Sequence, residues 1–243
     1  MSEIKSQNNI TQSIKRLVLA ALFCALAYVA TILTSWIKVA GFLTFDTKDT
    51  LITIAGLILG PVYAAVISFI VSLIEIIVNP ETGFWGFLMN FLSTAAFSSV
   101  CALIYKYKKN IKGAIIGLVA SVFSMTAMMV ILNLFVTPLY TGMPMETIAS
   151  MIPTLFLPFN FTKAVLNAAL VLMLYKPISR ALKAAKIVGV SEENAKAVGG
   201  SDKTATKKPL LTNLLVLGIG LVFVALSVVV FIVVLGGKFT FIA

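Results

Sequence analysis

Histidine is absent from this 243-residue chain, and acids are scarce: nine Asp and Glu stand against nineteen Lys and Arg. Without His there is neither an imidazole metal ligand nor an imidazole general base. Charged residues make up 12% of the chain, against about 25% in soluble domains, while 60% of residues are hydrophobic. A mean hydropathy of +1.05 excludes an ordinary soluble domain and indicates a polytopic membrane protein. The two cysteines, Cys24 and Cys101, lie in apolar runs where a thiol acts as a small hydrophobe, so neither a disulfide nor a zinc site is indicated. A phosphate-binding loop is also missing: GGSDKT at 199–204 lacks the G-x-x-x-x-G-K-[ST] spacing, so no ATPase is expected in this chain. No metal and no cofactor are expected.

What the chain has is apolar runs, at 17–37, 50–60, 62–79, 84–105, 111–136, 154–176 and 210–236. Crossing the hydrocarbon core takes about 20 helical residues. The second run is short and parts from the third only at Gly60-Pro61, which reads as a tight turn and a return helix. Ala25-Leu26-Ala27 mimics a signal-peptide cleavage site, but the apolar stretch continues to Ile37 and is read as a retained helix. Basic residues then orient the chain. Lys5, Lys15 and Arg16, the Lys106–Lys112 cluster, and eight residues from Lys176 to Lys208 fall on one side if the N-terminus is cytoplasmic. The net charge of +10 is thus a topology signal and not a nucleic-acid surface. The expected plan is a cytoplasmic segment 1–16, a six-helix membrane domain 17–183, a cytoplasmic linker 184–209, a seventh helix 210–236 and an external tail 237–243.

The intramembrane polar residues carry the functional signal. Asn160, Lys163 and Asn167 share one helical face, and a lysine at the centre of a membrane helix costs about 2.5–3.5 kcal/mol on insertion scales. With about 1.5 Å of rise per residue, Glu75, Asn90, Asn133, Asn160 and Lys163 all fall in the outer half and Asn167 near the midplane. A conducting pore or proton relay would distribute such groups through the whole depth. The pattern fits a pocket open to the outside and closed below by apolar packing. A lone Asn can alternatively bond two helices together. Glu75 is a candidate counter-ion for Lys163. Asp46 and Asp49, in the outward segment 36–50, are candidates for a cation or lid contact, or are solvated loop charges. That segment and the outward segment 137–153 mix aromatics, Gly or Pro, and acids, as loops that close over a ligand do.

The stretches GFLTFDTKDT, GLILGP, TGFWGFLMNFLSTAAF, NLFVTPLYTGMP and LPFNFTKAVLNAALVLMLYKPISRAL carry a resemblance. Together they resemble the riboflavin-binding S-components of energy-coupling factor (ECF) vitamin transporters, over residues 17–183. The resemblance implies an all-α integral membrane protein, a six-helix S-component bundle that captures riboflavin or a close flavin on its outer face. It implies as partners a transmembrane T-component and two cytosolic ATPases, so the chain itself would not be an enzyme. Asn133, Asn160, Lys163, Asn167, Asn90 and Thr44 would line the pocket, with Tyr140 and the two Asp residues at its lid. Ala21 and Ala25 match the family's A-x-x-x-A coupling motif on the first helix. The seventh apolar run departs from the six-helix pattern.

An S-component for another vitamin could use the same residue types. A lipid-modifying membrane enzyme built on Asp46 and Asp49 is the reading from a different class. It lacks any nucleophile–base pair or two-metal carboxylate cluster.

Overall fold

The computed structural model describes residues 2–34, 37–39, 43–78, 83–184, 229 and 239–241. Its helices are α1 (Ser2–Thr34), α2 (Lys48–Leu59), α3 (Pro61–Val78), α4 (Gly83–Tyr107), α5 (Ile111–Thr141), α6 (Met145–Met151) and α7 (Leu157–Ala184), with a π-helical turn at Ile152–Phe156 joining α6 to α7. Three short strands, β1 (Ile37–Val39), β2 (Leu43–Thr44) and β3 (Phe239–Phe241), form a small antiparallel sheet in the order β2-β1-β3. Everything else described in a regular element is helical, as the composition requires of a chain whose backbone must satisfy itself in lipid. The linker and almost all of the seventh apolar run lie outside the described residues.

Among the described residues, four segments are long and apolar enough to cross a membrane: Ile10–Thr34, Gly83–Tyr107, Ile111–Thr141 and Met145–Ile178. Between the first two lies the α2–α3 hairpin. It turns on Gly60, whose φ of 108° is a conformation that L side chains rarely adopt, and on Pro61 at the first position of α3. At 12 residues α2 is too short to span, and all but its Leu51 and Leu59 are buried. It is the central element, with α1, α3, α4 and α7 packed around it. Gly56 makes that packing close: a Cβ there would come within 2.9 Å of Ala64 Cβ and 3.1 Å of Ala102 Cβ. Gly117 brings α5 onto α4 in the same way, a Cβ lying 3.0 Å from the Cys101 carbonyl. The core below the middle is apolar, from Leu19, Phe23 and Ala27 on α1 to Ile52 on α2, Ile67 on α3, Phe97 on α4, Met125 on α5 and Val171 on α7.

Two expected boundaries shift. The segment 1–16, expected as a separate cytoplasmic stretch, continues α1 back to Ser2. Charge does not stop a helix that lacks Gly or Pro, and the 1–16 segment has neither. The segment 137–153, expected as a loop, is mostly helix. Pro138 sits inside the last turn of α5, and the turn itself is confined to Gly142 (φ 69°), Met143 and Pro144. Pro153 lies inside the continuous helical segment Met145–Ile178, and the N–H it lacks falls where the helix changes from α to π form.

The buried glycine contact gives a direct test. Gly56→Leu should lower the melting temperature in detergent markedly, since overpacking costs about 1–3 kcal/mol or more. Ala25→Leu, on the exposed face of α1, should leave it nearly unchanged. Equal losses would mean that α2 is not the packing centre.

Candidate functional site

At the end of the bundle where α1 stops and α2 starts, five charged side chains are buried: Asp46, Lys48, Asp49, Glu75 and Lys163, each at most 7% exposed. An unpaired buried charge is prohibitive, so their geometry is a set of pairings. Lys163 Nζ donates to Asp46 Oδ2 at 2.7 Å. Lys48 Nζ donates to both oxygens of Glu75 at 2.7 and 2.6 Å and lies 3.9 Å from Asp46 Oδ2. Among the described residues, Asp49 has no lysine in contact; its Oδ1 accepts from the Thr94 hydroxyl at 2.6 Å. The network joins α2, α3, α4 and α7 with the 45–47 segment. Burial would push the Asp46 carboxyl up, but the ammonium groups of Lys163 and Lys48 outweigh it and hold it below the usual carboxylate range.

The 45–50 segment is laid along α7 one turn at a time. The Phe45 and Phe159 rings pack at 4.9 Å between centroids, and Asp46 pairs with Lys163. Asn167 then accepts from Thr50 N–H and Oγ1 at 3.1 and 2.7 Å, and donates to the carbonyls of Asp46 and Lys163, both at 3.1 Å. Phe159, Lys163 and Asn167 are four residues apart, which is why one face of α7 meets three successive parts of the segment. Both N–H donors and both acceptor positions of the Asn167 amide are therefore used within the chain.

Asn133 and Asn160 are equally buried but differently committed. Each donates one N–H to the carbonyl four residues back in its own helix, Met129 and Phe156, at 2.7 Å. Asn133 also accepts from Thr137 at 3.1 Å. Among the described residues, neither amide bonds a second helix; each keeps one N–H uncommitted, and Asn160 keeps its carbonyl oxygen as well. Lys163, with three donors and one acceptor among the described residues, keeps two. Beside Asn133, Leu132 and Val136 pack with Met89, and Trp85, Met129 and Tyr140 flank that apolar wall between α4 and α5. Asn90 is half-buried on α4, with no side-chain hydrogen bond among the described residues. Thr44 pairs through its backbone with Lys38; its side chain lies outside the described residues.

The expected pairing of Glu75 with Lys163 is corrected: Glu75 belongs to Lys48, and the counter-ion of Lys163 is Asp46. Asp46 and Asp49 are buried constituents of the network and not solvated loop charges. Sequence reasoning missed Lys48, Thr50 and Thr94. For Lys48 the signal was in the sequence: in Asp46-Thr47-Lys48-Asp49, opposite charges crowd the start of an apolar run. Among the described residues, no group of three or more Cys, Asp and Glu is arranged to hold a metal ion. A cleft of about 320 Å³ at the other end, lined by Gly60, Pro61, Tyr63, Tyr105 and Lys106 among others, contains none of the sequence candidates.

A short α2 capped by buried charges, inside a ring of longer helices, is the arrangement that comparison with known proteins explains. The family model for the substrate-specific component of ECF transporters matches residues 15–175. The chain belongs to that family. It is 30% identical over 180 residues to the riboflavin transporter RibU of Staphylococcus aureus (strain TCH60), covering 71% of this chain and 94% of that protein. A solved S component of a bacterial ECF transporter superposes with a TM-score of 0.59 at 28% identity, covering 70% of this chain and 99% of that one. This S component is thus a multi-pass membrane protein of a transport system, and residues 176–243 lie beyond the matched region.

In the S component the two kinds of buried residue predict different losses. Glu75→Gln leaves Lys48 with only the Asp46 carboxylate, 3.9 Å away and already paired with Lys163, and breaking a buried pair costs about 3–5 kcal/mol. It should lower the melting temperature in detergent far more than Asn160→Leu, whose amide bonds only its own helix. Similar losses would mean that the ion pairs do not hold this end of the bundle.

Proposed function

We propose that this S component binds riboflavin, or a close flavin, at the charged end of the bundle, and that this end faces outward. The observation that carries the reading is the uncommitted hydrogen-bonding capacity of Asn133, Asn160 and Lys163, three buried groups on α5 and α7 that an apolar environment would not leave idle. A flavin's pyrimidine edge alternates acceptors with a donor, which amide groups match, while the ammonium donates to a ring carbonyl. Its fused rings need a flat apolar slot, and the Met89, Leu132 and Val136 wall with Trp85 and Tyr140 beside it is of that chemistry. The similarity to a riboflavin transporter supports the same ligand. Asn167 is reassigned from ligand contact to frame, because its amide is already spent. Asp46 acts as a lid residue by tying the 45–50 segment to Lys163.

The reading extends to transport. The S component captures the vitamin, and a T-component with two ATPases supplies the energy; no catalytic step occurs in this chain. Ala21 and Ala25 lie on the exposed face of α1 with Leu22 and Leu26, while Phe23 and Ala27 face the core. Small residues four apart on an outward face admit close approach of another helix, in contrast to Gly56 and Gly117, which serve contacts within the bundle. The N-terminus and the Lys106–Lys112 cluster are then cytoplasmic. Residues 239–241 pair with β1, at the end of the bundle that this reading faces outward.

Titration of the purified protein tests the site. Leaving a buried ligand group unpaired costs about 1–3 kcal/mol, which is roughly 5- to 150-fold in Kd. Asn160→Leu should weaken riboflavin binding by that factor with the melting temperature preserved, and Leu174→Ala on the exposed side of α7 should not. Loss of stability without a specific loss of affinity would assign Asn160 to the fold. Ala21→Leu should block uptake in cells carrying the partner subunits while leaving Kd unchanged; a matching loss of binding would place α1 in the pocket. An impermeant thiol reagent should reach a cysteine at position 142 in intact cells and not one at position 108; the reverse pattern would invert the orientation.

A further inference from the structure

Among the described residues, the buried network does not balance. Asp46, Asp49 and Glu75 bring three negative charges and Lys48 and Lys163 two positive ones, all at most 7% exposed. Fully ionised, the cluster holds one uncompensated negative charge in a low-dielectric interior, which costs far more than a surface charge of the same sign. The geometry shows where the excess falls. Glu75 has both oxygens on Lys48, and Asp46 has Lys163 at 2.7 Å and Lys48 at 3.9 Å. Asp49, fully buried, has only the Thr94 hydroxyl on Oδ1, and its Oδ2 has no hydrogen-bond partner.

We propose that Asp49 carries a proton in the folded S component, so that the network is neutral and the 45–50 segment is held on α7 by two complete ion pairs. The groups that act on Asp49 come from every side of α2. Asp46 precedes it, Lys48 is its neighbour, α3 brings Glu75 and α7 brings Lys163. α4 brings the hydroxyls of Thr94 and Ser98, the latter through Thr53, and α1 has no buried charged side chain among the described residues. The N-terminal dipole of α2 favours an anion at Asp49, but that contribution is small beside the desolvation of a carboxylate. A proton on Asp49 also removes its repulsion of Asp46, whose Oδ1 is likewise without a hydrogen-bond partner. The consequence is a pH-sensitive latch. Raising the pH until Asp49 ionises creates a carboxylate that competes for Lys48 and Lys163, and the hold of α7 on the 45–50 segment weakens.

The test compares the wild-type protein with Asp49→Asn, which keeps the shape and the neutral charge, and with Glu75→Gln, which breaks a pair. Infrared spectra of wild type should contain a protonated-carboxyl C=O stretch that Asp49→Asn lacks. Asp49→Asn should fold; because a carboxyl that stays protonated above its unfolded pKa costs stability from about pH 4 upward, the variant should melt with wild type only in acid and above it at neutral pH. Absence of the band overturns the proposal. So does an Asp49→Asn protein that fails to fold or loses as much stability as Glu75→Gln. A wild-type melting temperature that rises specifically with sodium or potassium, with no band, would assign the balancing charge to a metal cation and overturn it too.

Discussion

A lysine in the membrane interior needs a carboxylate, and the pairing of Lys163 with Asp46 sets much of this molecule's architecture. Lys163 sits on α7 and Asp46 just before α2, 117 residues apart in sequence, with the ammonium and carboxylate 2.7 Å apart. Their contact fixes the segment that leads into α2, and α2 is the helix around which the others are arranged. The second pair, Lys48 with Glu75, ties the same first turn of α2 to α3. Buried ion pairs add little net stability when compared with apolar replacements of equal volume. Their value here is specificity, since a register slip of either helix would leave two charges unpaired.

The fold was largely legible because its signals are local and strong. Apolar runs gave α1, the α2–α3 hairpin, α4, α5 and α7, and Gly60-Pro61 gave the turn. Helix ends were less legible, because neither the charged residues before Leu17 nor Pro138 and Pro153 terminate a helix in the structure. At the site, the shared face of Asn160, Lys163 and Asn167 was readable from spacing alone. Which of them is free to meet a ligand was not. That depends on whether a side chain finds its partner in its own helix, as Asn160 does at Phe156, or across the bundle, as Asn167 does at Thr50. Counter-ion identity was unreadable for the same reason: depth alone allowed Glu75 as the partner of Lys163, and only three dimensions distinguish it from Asp46.

Division of labour among the buried polar groups is what makes this S component intelligible. One set, the ion pairs of the two lysines together with Asn167, builds the frame. The other, Asn133 and Asn160 with the spare donors of Lys163, is held rigidly by that frame yet keeps hydrogen-bonding capacity in reserve. Preorganised but unsatisfied polar groups beside an apolar wall are the ingredients of a selective small-molecule site. The small residues divide likewise, with Gly56 and Gly117 spent inside the bundle and Ala21 and Ala25 left on its surface.

The central claim is that this frame exists to present a flavin site, and equilibrium binding of riboflavin to the purified wild-type protein tests it most directly. The account predicts saturable binding of one riboflavin per chain, with a shift of the flavin absorbance bands as the ring system leaves water. A protein that is folded by its melting transition, yet neither carries flavin nor shifts the spectrum of added riboflavin, would contradict it.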